Sequence, residues 1–63
     1  MKKVSIIIPC YNEESNLMNL YQNLASFMNE HSEYLWQILL INDGSRDHTF
    51  EIIKDIRTKD KRF

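Results

Sequence analysis

A chain of 63 residues with a net charge of -1 is one small domain at most, and its charge balance argues against a dedicated nucleic-acid binder. A chain this short buries only about 60% of its unfolded surface. Its lone Cys10 excludes an internal disulfide and fits a reduced, cytoplasmic setting, and no Cys/His pair has zinc-ligand spacing.

The opening "MKKVSIIIPCYNEE" has the lysines and short apolar run of a signal peptide, but Pro9, Asn12, Glu13 and Glu14 end that run too early. Residues 4–8 are rich in β-branched side chains and apolar on consecutive positions. That pattern predicts a strand covered on both faces and closed by Pro9. A helix is expected from about 14 to about 29, with Leu17, Leu20, Tyr21, Leu24, Phe27 and Met28 in one stripe. Glu13 and Glu14 then lie near its start, where negative charge is favoured.

Residues 36–41 predict a second strand, again nearly continuous in apolar side chains. "DGSRDHTFEIIKDI" opens a second helix, with Ser45 as N-cap, Asp47 in the first turn, and Phe50, Ile53 and Ile56 or Arg57 facing inward. Strand, helical crossover and strand make a βαβ unit with parallel strands and a right-handed crossover. Between Lys3 and Arg46 there is no Lys or Arg, whereas the end, "KDIRTKDKRF", gathers the basic residues. Asp55 and Asp60 interrupt that end, so it reads as a solvated face rather than a phosphate-binding patch. No apolar run approaches the ~20 residues that cross a bilayer.

Parallel pairing puts Pro9-Cys10-Tyr11-Asn12-Glu13 and Asn42-Asp43-Gly44-Ser45 at the carboxyl ends of neighbouring strands, the edge where open α/β sheets bind ligands. Asn, Asp, Gly and Ser are also the ordinary residues of a strand-to-helix turn, but a turn would need only one of the two clusters. A phosphate cradle would need several glycines or a nearby lysine, and Gly44 is the only glycine. The rim instead offers Tyr11, Glu13, Asn42 and Asp43. A carboxylate accepts a base N–H or a ribose hydroxyl, and a tyrosine borders a ring. Two carboxylates repel a diphosphate, so this rim suits the nucleoside half of a ligand.

"VSIIIPCYNEESNL" followed by "ILLINDGSRDHTFEII" closely resembles the amino-terminal end of family 2 glycosyltransferases, above all the polyprenyl- and dolichyl-phosphate sugar transferases. In that family a strand runs into P-x-Y-N-E, and a second strand into D-D-G-S-x-D-x-T. The likeness covers residues 4 to about 53, with Asn42 where the family often has a first aspartate. It implies a βαβα fragment of the α/β, Rossmann-like GT-A fold, with residues 1–63 the truncated amino-terminal part of a single catalytic domain. It further implies that Pro9, Tyr11 and Glu13 line the nucleoside pocket of a nucleotide-diphosphate sugar donor. Ile41 and Asp43 would complete the pocket, Asp43 reaching the base. Gly44 would allow the close turn, Ser45, Asp47 and Thr49 would mainly organise the second helix, and Cys10 would pack. His31 and His48 read as surface residues.

The family's D-x-D motif, which binds a divalent metal (Mg or Mn), and its general base follow later strands and have no counterpart in this sequence. The resemblance therefore implies an inverting, cytoplasmic sugar transferase, associated with the membrane in some forms, acting on an acceptor such as a polyprenyl phosphate. This chain alone is expected to be inactive. The rivals are a noncatalytic α/β module that binds a small ligand, and a piece that self-associates through unpaired sheet edges.

Overall fold

A computed structural model describes residues 1–63. It contains β1 (Lys2–Cys10), α1 (Leu17–Glu30), β2 (Tyr34–Asn42) and α2 (Thr49–Lys59). The strands pair in parallel, in register from Lys2 opposite Tyr34 to Cys10 opposite Asn42. The βαβα order and parallel pairing expected from the sequence are those of a Rossmann-like GT-A fragment.

Both strands outrun their apolar cores, and Pro9 does not close β1. The Cys10 carbonyl accepts the Asp43 N–H at 2.9 Å, so Cys10 turns its backbone groups toward β2. Those groups alternate between the two edges of a strand, which leaves the Pro9 nitrogen on the outer edge. No ladder bond is needed there, so proline is tolerated.

The two helices pack on the same face of the sheet. Cys10, Leu17 and Ile56 form a buried cluster against which Ile8, Leu40 and Ile53 pack, while Met28 and Ile38 are also fully buried. The other face is open, and cover on both faces is not what the chain builds. Ile7 is 66% exposed, Leu35 55%, Leu39 40% and Ile41 46%, so burial alternates along strands whose sequence does not. Across the middle of that face the Ser5 hydroxyl donates to Gln37 Oε1 at 3.1 Å.

α1 starts later than expected. Residues 14–16 form a turn in which the Glu13 carbonyl accepts the N–H groups of Asn16 (3.0 Å) and Leu17 (2.9 Å). Glu13 and Glu14 therefore precede the helix, and no acid lies in its first turn. Phe27, at the margin of the stripe, stays 48% exposed and meets the rings of His31 and Trp36.

α2 also starts later, at Thr49, with neither Ser45 as cap nor Asp47 in the first turn. Thr49, Ile52, Ile53 and Ile56 then fall on the inward face at helical spacing. Phe50 points outward, with the Lys54 ammonium 4.7 Å from its ring centre, and Arg57 is exposed.

After α2 the chain returns to the outer edge of β2, where the Ile38 N–H donates to the Arg62 carbonyl at 2.6 Å. The Arg62 guanidinium grips Asp60 at 2.6 Å and reaches Asn29 Oδ1 at 3.1 Å, while Phe63 meets Tyr21 edge-on. Lys54, Arg57, Lys59 and Lys61 keep the solvated character expected of the tail, but Arg62 is a fastener.

The hydrogen bonds from Arg62 hold the Asp60 carboxyl below its ordinary range, against a smaller opposing effect of burial. A lowered folded value means that this contribution is present above the unfolded carboxylate range. It is lost as pH falls through the folded value. Asp60→Asn should remove about 1.5 kcal/mol, the low end for a charged hydrogen bond, together with the extra loss of stability below pH ~4. Urea denaturation at several pH values measures both, and an unchanged acid limb in the variant would contradict the fastening.

Candidate functional site

The carboxyl ends of β1 and β2 carry two loops, residues 11–16 and 43–48, that are stitched to each other. Pro9 and Ile41 are paired in the register and lie on the open face. Tyr11, 55% exposed, and Asp43 come two residues after them, as the first residues of the two loops. Glu13, half-buried, sits on the helix side of β1.

Between the end of β1 and the start of α1 is a cleft of about 250 Å³, lined by Ile8, Pro9, Cys10, Glu13, Asn16, Leu17 and Leu20. It takes in Pro9 and Glu13 but not Tyr11, Ile41 or Asp43. It also falls short of the ~300 Å³ at the small end of ligand pockets. The rim is therefore an open surface with a shallow recess beside it.

The polar residues of the two motifs divide into two groups. Asn42 Oδ1 accepts the Ser45 N–H at 3.3 Å, and Ser45 Oγ accepts the Asn12 N–H at 3.0 Å. Asn12 Oδ1 takes the Arg46 N–H at 2.8 Å. Thr49 Oγ1 accepts the Glu13 N–H at 2.8 Å, while Asp47 accepts the Glu14 N–H at 3.2 Å and the Thr49 N–H at 3.0 Å. All these groups are consumed inside the chain. The Tyr11 hydroxyl and the carboxylates of Glu13 and Asp43 form no hydrogen bond within the chain.

Ser45, Asp47 and Thr49 thus do more than organise α2. Asp47 does serve the helix start, but all three also hold the first loop, which their place in the sequence gave no reason to expect. The Thr49 hydroxyl, donating to Asp47, is the main reason that carboxyl lies below its ordinary range. Asn12 was missed altogether. Its φ of 51° is left-handed, a conformation asparagine tolerates better than most side chains, and the only signal was an asparagine inside P-x-Y-N-E.

Cys10 packs as expected. Its thiol is buried, touches the Ile8 carbonyl, and is raised above its ordinary value by burial and then by the Glu13 charge. That is the opposite of what activates a nucleophile. His48 lies 3.3 Å from Glu14 and His31 3.5 Å from Glu33, both at the surface. No three His, Cys, Asp or Glu side chains gather closely enough to hold a metal ion, so the residues present do not fit a divalent cation.

Gly44 has φ 71°, and a Cβ there would meet nothing within 4 Å. Any substitution cost is therefore conformational. Gly44→Ala should destabilise by about 1–2 kcal/mol, and Gly44→Asn by less. Equal denaturation midpoints for the glycine and alanine forms would show that the turn does not need the left-handed conformation.

Residues 5–63 match the family described as glycosyl transferase family 2. An undecaprenyl-phosphate 4-deoxy-4-formamido-L-arabinose transferase of Salmonella choleraesuis is 42% identical over 84% of the chain and 16% of its own length. An uncharacterized glycosyltransferase of Bacillus subtilis is 39% identical over 81% of the chain and 16% of its own length. A dolichyl-phosphate beta-glucosyltransferase of Trichomonas vaginalis is 32% identical over 79% of the chain and 17% of its own length. The chain thus spans about one sixth of the length of these relatives. No solved structure matches it.

Proposed function

Because the chain belongs to glycosyl transferase family 2, we propose that its rim binds the nucleoside half of a nucleotide-diphosphate sugar donor. One observation carries this reading. Of the polar side chains at the two strand ends, those of Tyr11, Glu13, Asp43 and Arg46 are left without partners in the chain, while Asn12, Asn42, Ser45, Asp47 and Thr49 are spent on holding the loops. Pro9 and Ile41 offer an apolar edge to a ring, Tyr11 borders it, and Asp43 and Glu13 accept base N–H or ribose hydroxyl groups.

The rim carries more carboxylates than cations, with Arg46 its one arginine or lysine, so the diphosphate needs further positive charge. In our reading a divalent metal, Mg or Mn, supplies it in the whole enzyme through ligands outside residues 1–63. Residues 1–63 form the amino-terminal part of that enzyme's catalytic domain. The enzyme moves a sugar from the donor to an acceptor by single displacement with inversion. Relatives named for undecaprenyl phosphate and dolichyl phosphate favour a polyprenyl phosphate as acceptor. Such an enzyme would work in the cytoplasm, at the cytoplasmic face of a membrane.

Asp43→Ala should weaken nucleoside diphosphate binding by roughly 1.5–3 kcal/mol, the scale of a charged hydrogen bond. Ser45→Ala, which loses one exposed hydrogen bond, should act on stability by about 1 kcal/mol. Calorimetry on the two variants separates these effects. Unchanged affinity in a folded Asp43→Ala protein would move the base to another site.

The 63-residue chain should transfer no sugar, because a metal site and a general base each contribute several powers of ten to rate. Transfer by the purified chain above a contaminant control would overturn this.

A second expectation comes from the sheet. β1 has a bare outer edge beside an apolar open face, and unpaired edges are templates for another strand. We propose that the chain is ordered only when it associates, with copies of itself or with further sheet. Light scattering and hydrogen exchange over a concentration series should show association and amide protection rising together. A dilute monomer with strongly protected strand amides would contradict it.

A further inference from the structure

We infer that Asp47 and Thr49 are positioning residues whose shared relay fixes the Glu13–Glu14 segment, and with it the Glu13 carboxylate relative to Asp43. The inference rests on the donor-site reading for its functional consequence, and on geometry for the relay itself. Three consecutive amides of the first loop, those of Asn12, Glu13 and Glu14, donate across to Ser45 Oγ (3.0 Å), Thr49 Oγ1 (2.8 Å) and Asp47 Oδ2 (3.2 Å).

The direction of the relay is fixed by chemistry. An ionised carboxylate only accepts, so the Thr49 hydroxyl hydrogen points at Asp47 Oδ1 and leaves a lone pair for the Glu13 N–H. Thr49 is fully buried and cannot exchange Asp47 for water.

The relay also stands in for a helix cap. Asn16 makes no side-chain capping bond, and the first turn of α1 instead hangs on the Glu13 carbonyl, which accepts the Asn16 and Leu17 amides. Glu13 is thus held by Thr49 through its N–H and carries α1 on its carbonyl. Asp43 is anchored separately, through its N–H to the Cys10 carbonyl. Releasing the relay should therefore free Glu13 while leaving Asp43, the sheet and the Asn12 bonds to Ser45 and Arg46 in place. Glu14, His48 and Arg46 are the charged or titratable neighbours, and none replaces the Asp47 carboxylate as acceptor for Thr49.

Thr49→Val removes the acceptor of the Glu13 N–H at nearly constant volume, Asp47→Asn keeps one oxygen for Thr49 but replaces the acceptor of the Glu14 N–H with a donor, and Thr49→Ser keeps the hydroxyl. Amide exchange would be followed by NMR on the whole chain, with uridine and guanosine diphosphate titrated into the same samples. The Glu13 amide in Thr49→Val and the Glu14 amide in Asp47→Asn should exchange about tenfold faster or more. The β1–β2 ladder should be unchanged, Thr49→Ser should behave as the original, and affinity for whichever nucleotide binds should fall in the same order. Unchanged loop amides in the two relay variants would overturn the inference. So would ladder and loop amides loosening in step, or unchanged nucleotide affinity despite a loosened loop. If the original chain binds neither nucleotide while the amides respond as expected, the donor reading fails and the relay stands.

Discussion

The Glu13 N–H bonded to Thr49 Oγ1 at 2.8 Å joins the two halves of the chain at the one place where both matter. It links residues 36 positions apart and closes the rim formed by the ends of β1 and β2. Parallel pairing brings the strand ends together but does not by itself dictate how the loops beyond them lie. The loops are placed by side chains that accept backbone N–H groups from the opposite loop. Each such bond is worth only about 1 kcal/mol. Several in a row over-determine the left-handed turns at Asn12 and Gly44, which would otherwise be strained or mobile.

Much of this was legible in the sequence. The two apolar runs, the amphipathic stripe between them and the polar clusters after each run specify βαβα order and a shared rim. The likeness of "PCYNEE" and "NDGSRDHT" to the family pattern named the rim residues. The bonding between the loops was not legible. Ser45 and Asp47 have the composition of a cap and a first turn, and local propensity assigns them to α2. Each also has a partner in a loop more than thirty residues earlier, which propensity does not see. Phe50 failed for a related reason: a later helix start moves the inward face to Thr49, Ile52, Ile53 and Ile56.

The sheet carries the other mismatch between sequence and structure. Val4, Ile6, Ile7 and Ile8 are written for a strand covered on both faces, yet both helices settle on one face. Each partly exposed aliphatic side chain there forgoes a share of the roughly 1.5–3 kcal/mol that full burial would provide. Arg62 and Phe63 fold back onto β2 and α1, so the outer edge of β2 is partly occupied while that of β1 is bare. The chain spans about one sixth of its relatives' length, and its strands have the continuous apolar pattern of a sheet covered on both faces.

The division of labour at the rim, with some polar groups spent on the loops and others left for a ligand, is tested most directly by mapping where a nucleotide touches. Amide chemical shifts would be recorded while uridine or guanosine diphosphate is added. Shifts concentrated at Tyr11, Glu13, Ile41 and Asp43, with Lys54, Arg57 and Lys59 undisturbed, are the expected result. Shifts confined to those basic residues of α2 would mean that phosphate is being read by charge alone, and would contradict a nucleoside site at the strand ends.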